Sequence, residues 1–232
     1  MSAGTQFRRA LAVAAERRAF RDLPADMPFD EAFEVATTRV GIGQQREEAR
    51  WLFERVRALA PKVVLEIGVS LGGTLFLWTR AATHDALLVG LDMQEQGRLG
   101  RFSAFPLVRR AFAADRQRVE LLLDVDSHAE ATVERVRRLI GGRPVDFLFV
   151  DGDHSYDGVW SDVQLYGPLV RAGGLVAFHD VSQTPASWTE GVARFWREFS
   201  EQRDVEECVV DAEPGFGIGA YTVRPGEIWS RH

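Results

Sequence analysis

Cys208 is the only cysteine among 232 residues, which excludes an intrachain disulfide, a thiolate zinc cluster and a redox pair. Lysine is equally scarce: Lys62 stands alone, and the rest of the 28 basic residues are arginines. Those arginines are scattered and the net charge is −6, a balance that argues against a nucleic-acid partner. No run of eighteen apolar residues occurs, so no spanning helix and no membrane partner are expected. Met1 to Phe20 is arginine-rich with an apolar stripe, unlike the apolar core of a signal peptide. A soluble, cytoplasmic protein is the expectation. Internal repeats and low-complexity tracts are also absent. With 46% hydrophobic content, the length suits one sizeable α/β core but not two full domains with linkers. The expected organisation is an N-terminal helical cap over residues 1–60 and an α/β domain over 61–232.

The chain is organised around Lys62 to Thr74, Lys-Val-Val-Leu-Glu-Ile-Gly-Val-Ser-Leu-Gly-Gly-Thr. An apolar, largely β-branched run of strand length is followed by a glycine-bearing turn and an amphipathic segment, which predicts strand, turn and helix. Gly68 would let a ligand approach the backbone, Gly72 and Gly73 would ease the start of the helix, and the helix N-terminus would offer free N–H groups. The spacing is not the G-x-G-x-x-G of a dinucleotide fold, because Val69 and Ser70 follow the first glycine. Glu66 is a carboxylate at an apolar strand end, a position that ordinarily serves a ligand or a helix N-terminus.

Before this motif, the apolar positions Phe7, Leu11, Val13, Ala14 and Phe20 predict one helical face, and Gln44 to Leu59 predicts a second helix closed by Pro61. Residues 30–40 are ambiguous. After it, Ala86 to Asp92, Val119 to Asp124, Val145 to Asp151 and Gly173 to His179 read as buried strands alternating with helices. Residues 94–116 read as a loop and then a helix, and Trp188 to Phe199 as a helix. Val205 to Val210 and Ile218 to Val223 read as a closing hairpin. This alternation implies a Rossmann-like, doubly wound parallel sheet, because right-handed crossovers place helices on both faces. The expected sheet has seven strands in the order 3-2-1-4-5-7-6, the last antiparallel.

In such a sheet, ligands bind beyond the carboxyl ends of the strands at the switch point. Strands 1, 4 and 5 would then bring Glu66 to Gly68, Asp151 to His154 and His179-Asp180 into one cleft. Asp92, at the end of strand 2, stands where this architecture bonds ribose hydroxyls, although a helix N-cap competes as an explanation.

Glu-Ile-Gly-x-x-x-Gly-Gly-Thr, Gly-Leu-Asp, Val-Asp-Gly-Asp-His-Ser-Tyr and Gly-Gly-x-x-x-Phe-His-Asp together resemble the class I S-adenosylmethionine-dependent methyltransferases. More narrowly they resemble the bacterial branch of cephalosporin-biosynthesis, macrolide and sugar O-methyltransferases, related to catechol O-methyltransferases. The resemblance spans about Pro61 to Val223. It implies that Glu66, Gly68 and Ser70 line the methionine part of S-adenosyl-L-methionine. Asp92 would hold the ribose, Met93 would lie against the adenine, and Asp126 and Ser127 would flank its edge. Asp151 matches the family's first metal carboxylate, and with His179 and Asp180 it would hold a divalent cation, Mg²⁺ or Mn²⁺. A histidine at 179 departs from the family pattern. The alternative is that His179 bonds Asp151 and the pair orients the acceptor without a metal.

Methylating a hydroxyl needs a base near the working pH or a metal that acidifies the oxygen. His154, three residues after Asp151, is the expected general base and Asp153 its rival; the structural competitor is a helix cap at Asp153 or Ser155 with His154 solvated. The expected activity is methyl transfer to a hydroxylated small molecule, a sugar or natural-product metabolite. A cofactor-binding accessory protein of a biosynthetic complex is the runner-up, and a nicotinamide dehydrogenase suffers from the wrong glycine spacing. The residues leave open whether the protein is a homo-oligomer.

Overall fold

A computed structural model describes residues 3–93, 108–184, 186–210 and 216–231, with side chains from residue 10 onward. The N-terminal part comprises α1 (Ala3–Arg21), α2 (Phe29–Val35), a π-helical turn (Ala36–Val40) and α3 (Arg46–Leu59). Thus the ambiguous 30–40 stretch is helical, and Gln44 lies in the loop before α3 rather than inside it. Then follow β1 (Val63–Ile67), α4 (Gly73–Ala81), β2 (Leu87–Asp92), β3 (Arg118–Leu123), α5 (Glu130–Ile140), β4 (Val145–Val150) and α6 (Tyr156–Tyr166). The chain ends with β5 (Val170–His179), α7 (Glu190–Ser200), β6 (Val205–Cys208) and β7 (Ile218–Thr222). Most of the loop and helix expected over 94–116 lies outside the described residues; Arg110–Phe112 is a short 3₁₀ turn.

The strands form one sheet in the order β3-β2-β1-β4-β5-β7-β6. β7 runs antiparallel to both β5 and β6, and the other neighbouring pairs are parallel. The strand order and the antiparallel last strand are those expected from the sequence.

Two-residue periodicity divides each strand between two cores. Val64, Leu88, Phe147, Phe149, Leu175 and Ala177 face α1 to α4. Val63, Leu65, Ile67, Leu148, Val150 and Phe178 face α5 to α7. Phe20, Phe33, Leu52, Phe53 and Val56 of the N-terminal helices belong to the first of these cores, so residues 1–60 and 61–232 share one apolar interior.

The stripe expected on α1 is only in part its buried face: Val13 and Phe20 turn toward the core, and Leu11 and Ala14 do not. Leu11 is 54% exposed, whereas Phe20 is buried edge-on against Phe76 and Phe112. Helical geometry explains the difference: the half-buried Val13 and Arg17 lie seven and three residues before Phe20, on its side of the helix. No described helix is long and apolar enough to cross a membrane.

Candidate active site

Beyond the carboxyl ends of β1, β2, β4 and β5 lies a cleft of about 1710 Å³. This exceeds the ~300–1,000 Å³ usual for one small ligand. Its lining runs from Asp92, Met93, Asp126 and Ser127 at one end to Asp151, His154 and Asp180 at the other.

At the first end, the Asp92 carboxylate accepts from the Ser70 backbone N–H at 2.5 Å and remains part of the cleft wall. Ser70 takes a left-handed backbone, φ 46°. Asp126 Oδ1 accepts from the His128 N–H at 2.8 Å, and the Ser127 carbonyl accepts from the Tyr166 hydroxyl at 2.7 Å. Their turn is therefore fixed from below while its upper surface faces the cleft. Met93 is 69% exposed and also lines it.

Two expectations for the glycine turn are revised. Glu66 serves the helix N-terminus rather than a ligand, the second of the two roles its position offered: it is fully buried, on the same face of β1 as Val64, where the Thr74 hydroxyl in the first turn of α4 donates to it. Burial pushes its carboxyl well above the usual range, against the Thr74 bond, so its role there is to join β1 to α4. Gly68 does line the cleft, but what demands glycine is protein rather than ligand. A Cβ there, at φ +90°, would lie 1.9 Å from the Asp151 carbonyl oxygen. Gly72, at φ +93°, caps α4 and Gly73 begins it, as expected; Gly72 faces Arg109 and Phe112, while Gly73 packs against the Gly41 carbonyl and Ile42.

At the other end, β4 and β5 pair in register with Val150 opposite Phe178. The next residues, Asp151 and His179, therefore fall side by side on the face that carries Phe149 and Ala177. His179 Nδ1 lies 3.0 Å from Asp180 Oδ1 and 3.4 Å from Asp151 Oδ1. His154 Nε2 lies 3.4 Å from Asp180 Oδ2 and 3.7 Å from Asp151 Oδ1. Asp180 adopts φ 62°, a left-handed backbone that Asp tolerates better than most residues and that turns it back toward the cluster. Burial alone would lower the His179 pKa, but the Asp151 and Asp180 carboxylates outweigh it and push it up to about 10. Asp151 and then Asp180 likewise raise His154 against its partial burial. The Asp151 carboxyl is pulled down by His179 and His154 although burial opposes this.

One donor atom from each of Asp151, His154 and Asp180 falls within 4.8 Å of the others. Two carboxylates and an imidazole at this spacing fit a divalent cation. The set differs from the expected one by exchanging His179 for His154. His179 Nδ1 is engaged by both carboxylates and its Nε2 is buried, so it braces the acids from the sheet side. Asp153, the rival base, accepts from the Ser155 N–H at 2.8 Å, and Ser155 caps α6 by accepting from the Gly158 N–H at 3.0 Å. The helix cap and the cleft-facing His154 coexist in the same turn.

Gln44 and His128, both in the cleft lining, were missed in the sequence. Gln44, from the loop before α3, donates from Nε2 to Asp151 Oδ2 at 2.8 Å. His128 places Nε2 3.3 Å from Oδ1 of the fully buried Asp162, which is the main cause raising its pKa. Only position could have signalled His128, next to Asp126-Ser127; nothing in the local sequence marks Gln44.

A doubly wound sheet with acids and imidazoles over its switch point defines an α/β enzyme that works at the strand ends. Residues 65–181 match a sequence family described as a methyltransferase domain, and the chain belongs to that family. Among solved structures it is similar to the O-methyltransferase TomG of Streptomyces achromogenes, involved in tomaymycin synthesis and solved with S-adenosylmethionine. That match has 19% identity, 89% of this chain and 95% of the other covered, and a TM-score of 0.58. An O-methyltransferase from Bacillus cereus, solved with S-adenosylhomocysteine, matches at 17% identity, 87% and 93% coverage and a TM-score of 0.56. MycE of the mycinamycin pathway, solved with Mg, S-adenosylhomocysteine and mycinamycin VI, matches at 18% identity and a TM-score of 0.56, with 90% of this chain but 57% of MycE covered. At these identities the likeness is one of fold. No curated protein matches the sequence.

Proposed function

We propose that the protein is an S-adenosylmethionine-dependent O-methyltransferase acting on a hydroxylated small molecule, a sugar or natural-product metabolite, with a divalent cation at Asp151, His154 and Asp180. The observation that carries this reading is the convergence of those three side chains in the same cleft as the Asp92 carboxylate. Family membership supplies methyl transfer as the reaction. TomG and MycE, which share the fold, bear S-adenosylmethionine or its demethylated product, and MycE bears Mg as well.

Asp92 would hold the ribose, with Met93, Asp126 and Ser127 around the adenine and Gly68 and Ser70 beside the methionine part. When bound, the cofactor supplies an electrophilic methyl on a cationic sulfur, and the cation lowers the pKa of a hydroxyl beside it. Asp151, His154 and Asp180 orient that hydroxyl toward the cofactor end of the cleft. His179 holds the two carboxylates together from below. The exposed Trp188 and the half-buried Phe216 add aromatic wall on the acceptor side. With S-adenosylmethionine bound, the chemistry supplied would be transfer of its sulfur-borne methyl to the hydroxyl oxygen, the sulfur–methyl electron pair remaining on sulfur and the hydroxyl proton passing to water.

The test is transfer of labelled methyl from S-adenosylmethionine to a panel of catechols, sugars and hydroxylated polyketides. Activity is expected on a hydroxyl, lost in chelator and restored by Mg²⁺ or Mn²⁺. Full activity in chelator would overturn the cation assignment, and transfer to amines alone would overturn the O-methyl reading.

A further inference from the structure

The loop before α3 is built into the acceptor end of the cleft although it lies 107 residues from Asp151 in sequence. Two glycines bring it there. Gly41 has φ +112°, and a Cβ on it would lie 2.5 Å from the Leu71 side chain; a Cβ on Gly73 would lie 2.3 Å from the Gly41 carbonyl oxygen. The loop backbone thus rests directly on the turn after β1. One helical turn beyond Gln44, the fully buried Glu48 accepts from the Val210 N–H at 3.0 Å, which anchors the start of α3 to the end of β6. Gln44 is therefore held at both ends when its amide meets Asp151.

That contact divides the work of the Asp151 carboxylate. Oδ2 takes the Gln44 N–H at 2.8 Å, while Oδ1 is the oxygen that faces His154 and His179. A carboxylate with one oxygen fixed by a neutral donor keeps its plane and presents the other in a set direction. Partners of this kind, one step removed from a metal, typically contribute about 10–100-fold to metal affinity or activity.

We propose that Gln44 is a positioning residue for the cation site, acting through Asp151. The inference rests on the cation reading above and adds to it a function for the N-terminal cap: the cap completes the site rather than only covering the sheet.

The test is Mn²⁺ titration of the full-length protein, followed by electron paramagnetic resonance, for wild type, Gln44→Leu and Gln44→Glu, with S-adenosylhomocysteine affinity measured alongside. Gln44→Leu is expected to weaken Mn²⁺ binding about 10–100-fold and to leave S-adenosylhomocysteine affinity within about twofold. Gln44→Glu, which removes the N–H donor and sets a carboxylate against Asp151 Oδ2, is expected to weaken Mn²⁺ binding as well; a role in folding alone would lower S-adenosylhomocysteine binding in parallel. Mn²⁺ binding unchanged in both variants would overturn this inference and leave the cation reading intact. Parallel loss of Mn²⁺ and S-adenosylhomocysteine binding in both variants would also overturn it, by reducing Gln44 to a structural role. Absence of Mn²⁺ binding in wild type would overturn the cation reading and this inference with it.

Discussion

His154→Ala is expected to lower turnover by about 10²–10⁴-fold, the range for losing a group that acts in the chemical step. Cofactor affinity should stay nearly unchanged, because His154 stands at the opposite end of the cleft from Asp92. Read from sequence, His154 was a general base; in the structure its Nε2 lies between Asp151 and Asp180 as a third donor. The two roles separate in one comparison. If His154 holds the cation, the alanine variant loses Mn²⁺ binding together with turnover. If it acts only as a base, Mn²⁺ binding survives while turnover falls. Isothermal titration with Mn²⁺ beside steady-state kinetics decides between them.

Gly68→Val should cost stability first and cofactor binding only as a consequence. The residue sits at φ +90°, and its Cβ would fall 1.9 Å from the Asp151 carbonyl oxygen and 2.8 Å from the Gly152 nitrogen. These are backbone atoms of the turn after β4, from which the Asp151 N–H also donates to the Ile67 carbonyl at 2.8 Å. They do not rotate away as a side chain would. Backbone strain of about 1–3 kcal/mol adds to overpacking of about 1–3 kcal/mol. A combined loss near 3 kcal/mol lowers the melting temperature of a chain this size by about 6–12 °C. Even Gly68→Ala should show much of this, because the collision begins at Cβ. Thermal melts without ligand check it: a variant that melts like wild type but fails to bind cofactor would return Gly68 to the purely ligand-facing role.

The central fold was legible because each strand is a short run of Val, Leu, Ile and Phe broken by glycine or an acid and alternates with helices, and the order was taken as the usual one of a doubly wound sheet. The adjacency of Asp151 and His179 was likewise readable once β4 and β5 were neighbours. Which imidazole joins the two carboxylates as a cation donor was not. His179 continues the face of Ala177 and is carried beneath the carboxylates, while His154 arrives from a loop whose path no periodicity encodes. Glu66 shows the same limit. Its position left a ligand and a helix N-terminus both open, and the pairing with Thr74 across the β1–α4 contact decides for the helix. The contribution of the N-terminal cap was the least legible, because Gln44 is an ordinary polar residue in a loop and gains its partner only through tertiary packing.

The most direct test of the account is calorimetric titration of wild type and Asp92→Ala with S-adenosylhomocysteine, and of wild type with NAD. The account predicts saturable binding of S-adenosylhomocysteine to wild type, none of NAD, and a loss of about 1.5–3 kcal/mol in Asp92→Ala, the range for hydrogen bonds to a charged group. Binding of NAD in place of S-adenosylhomocysteine, or equal S-adenosylhomocysteine affinity in the two proteins, would contradict it.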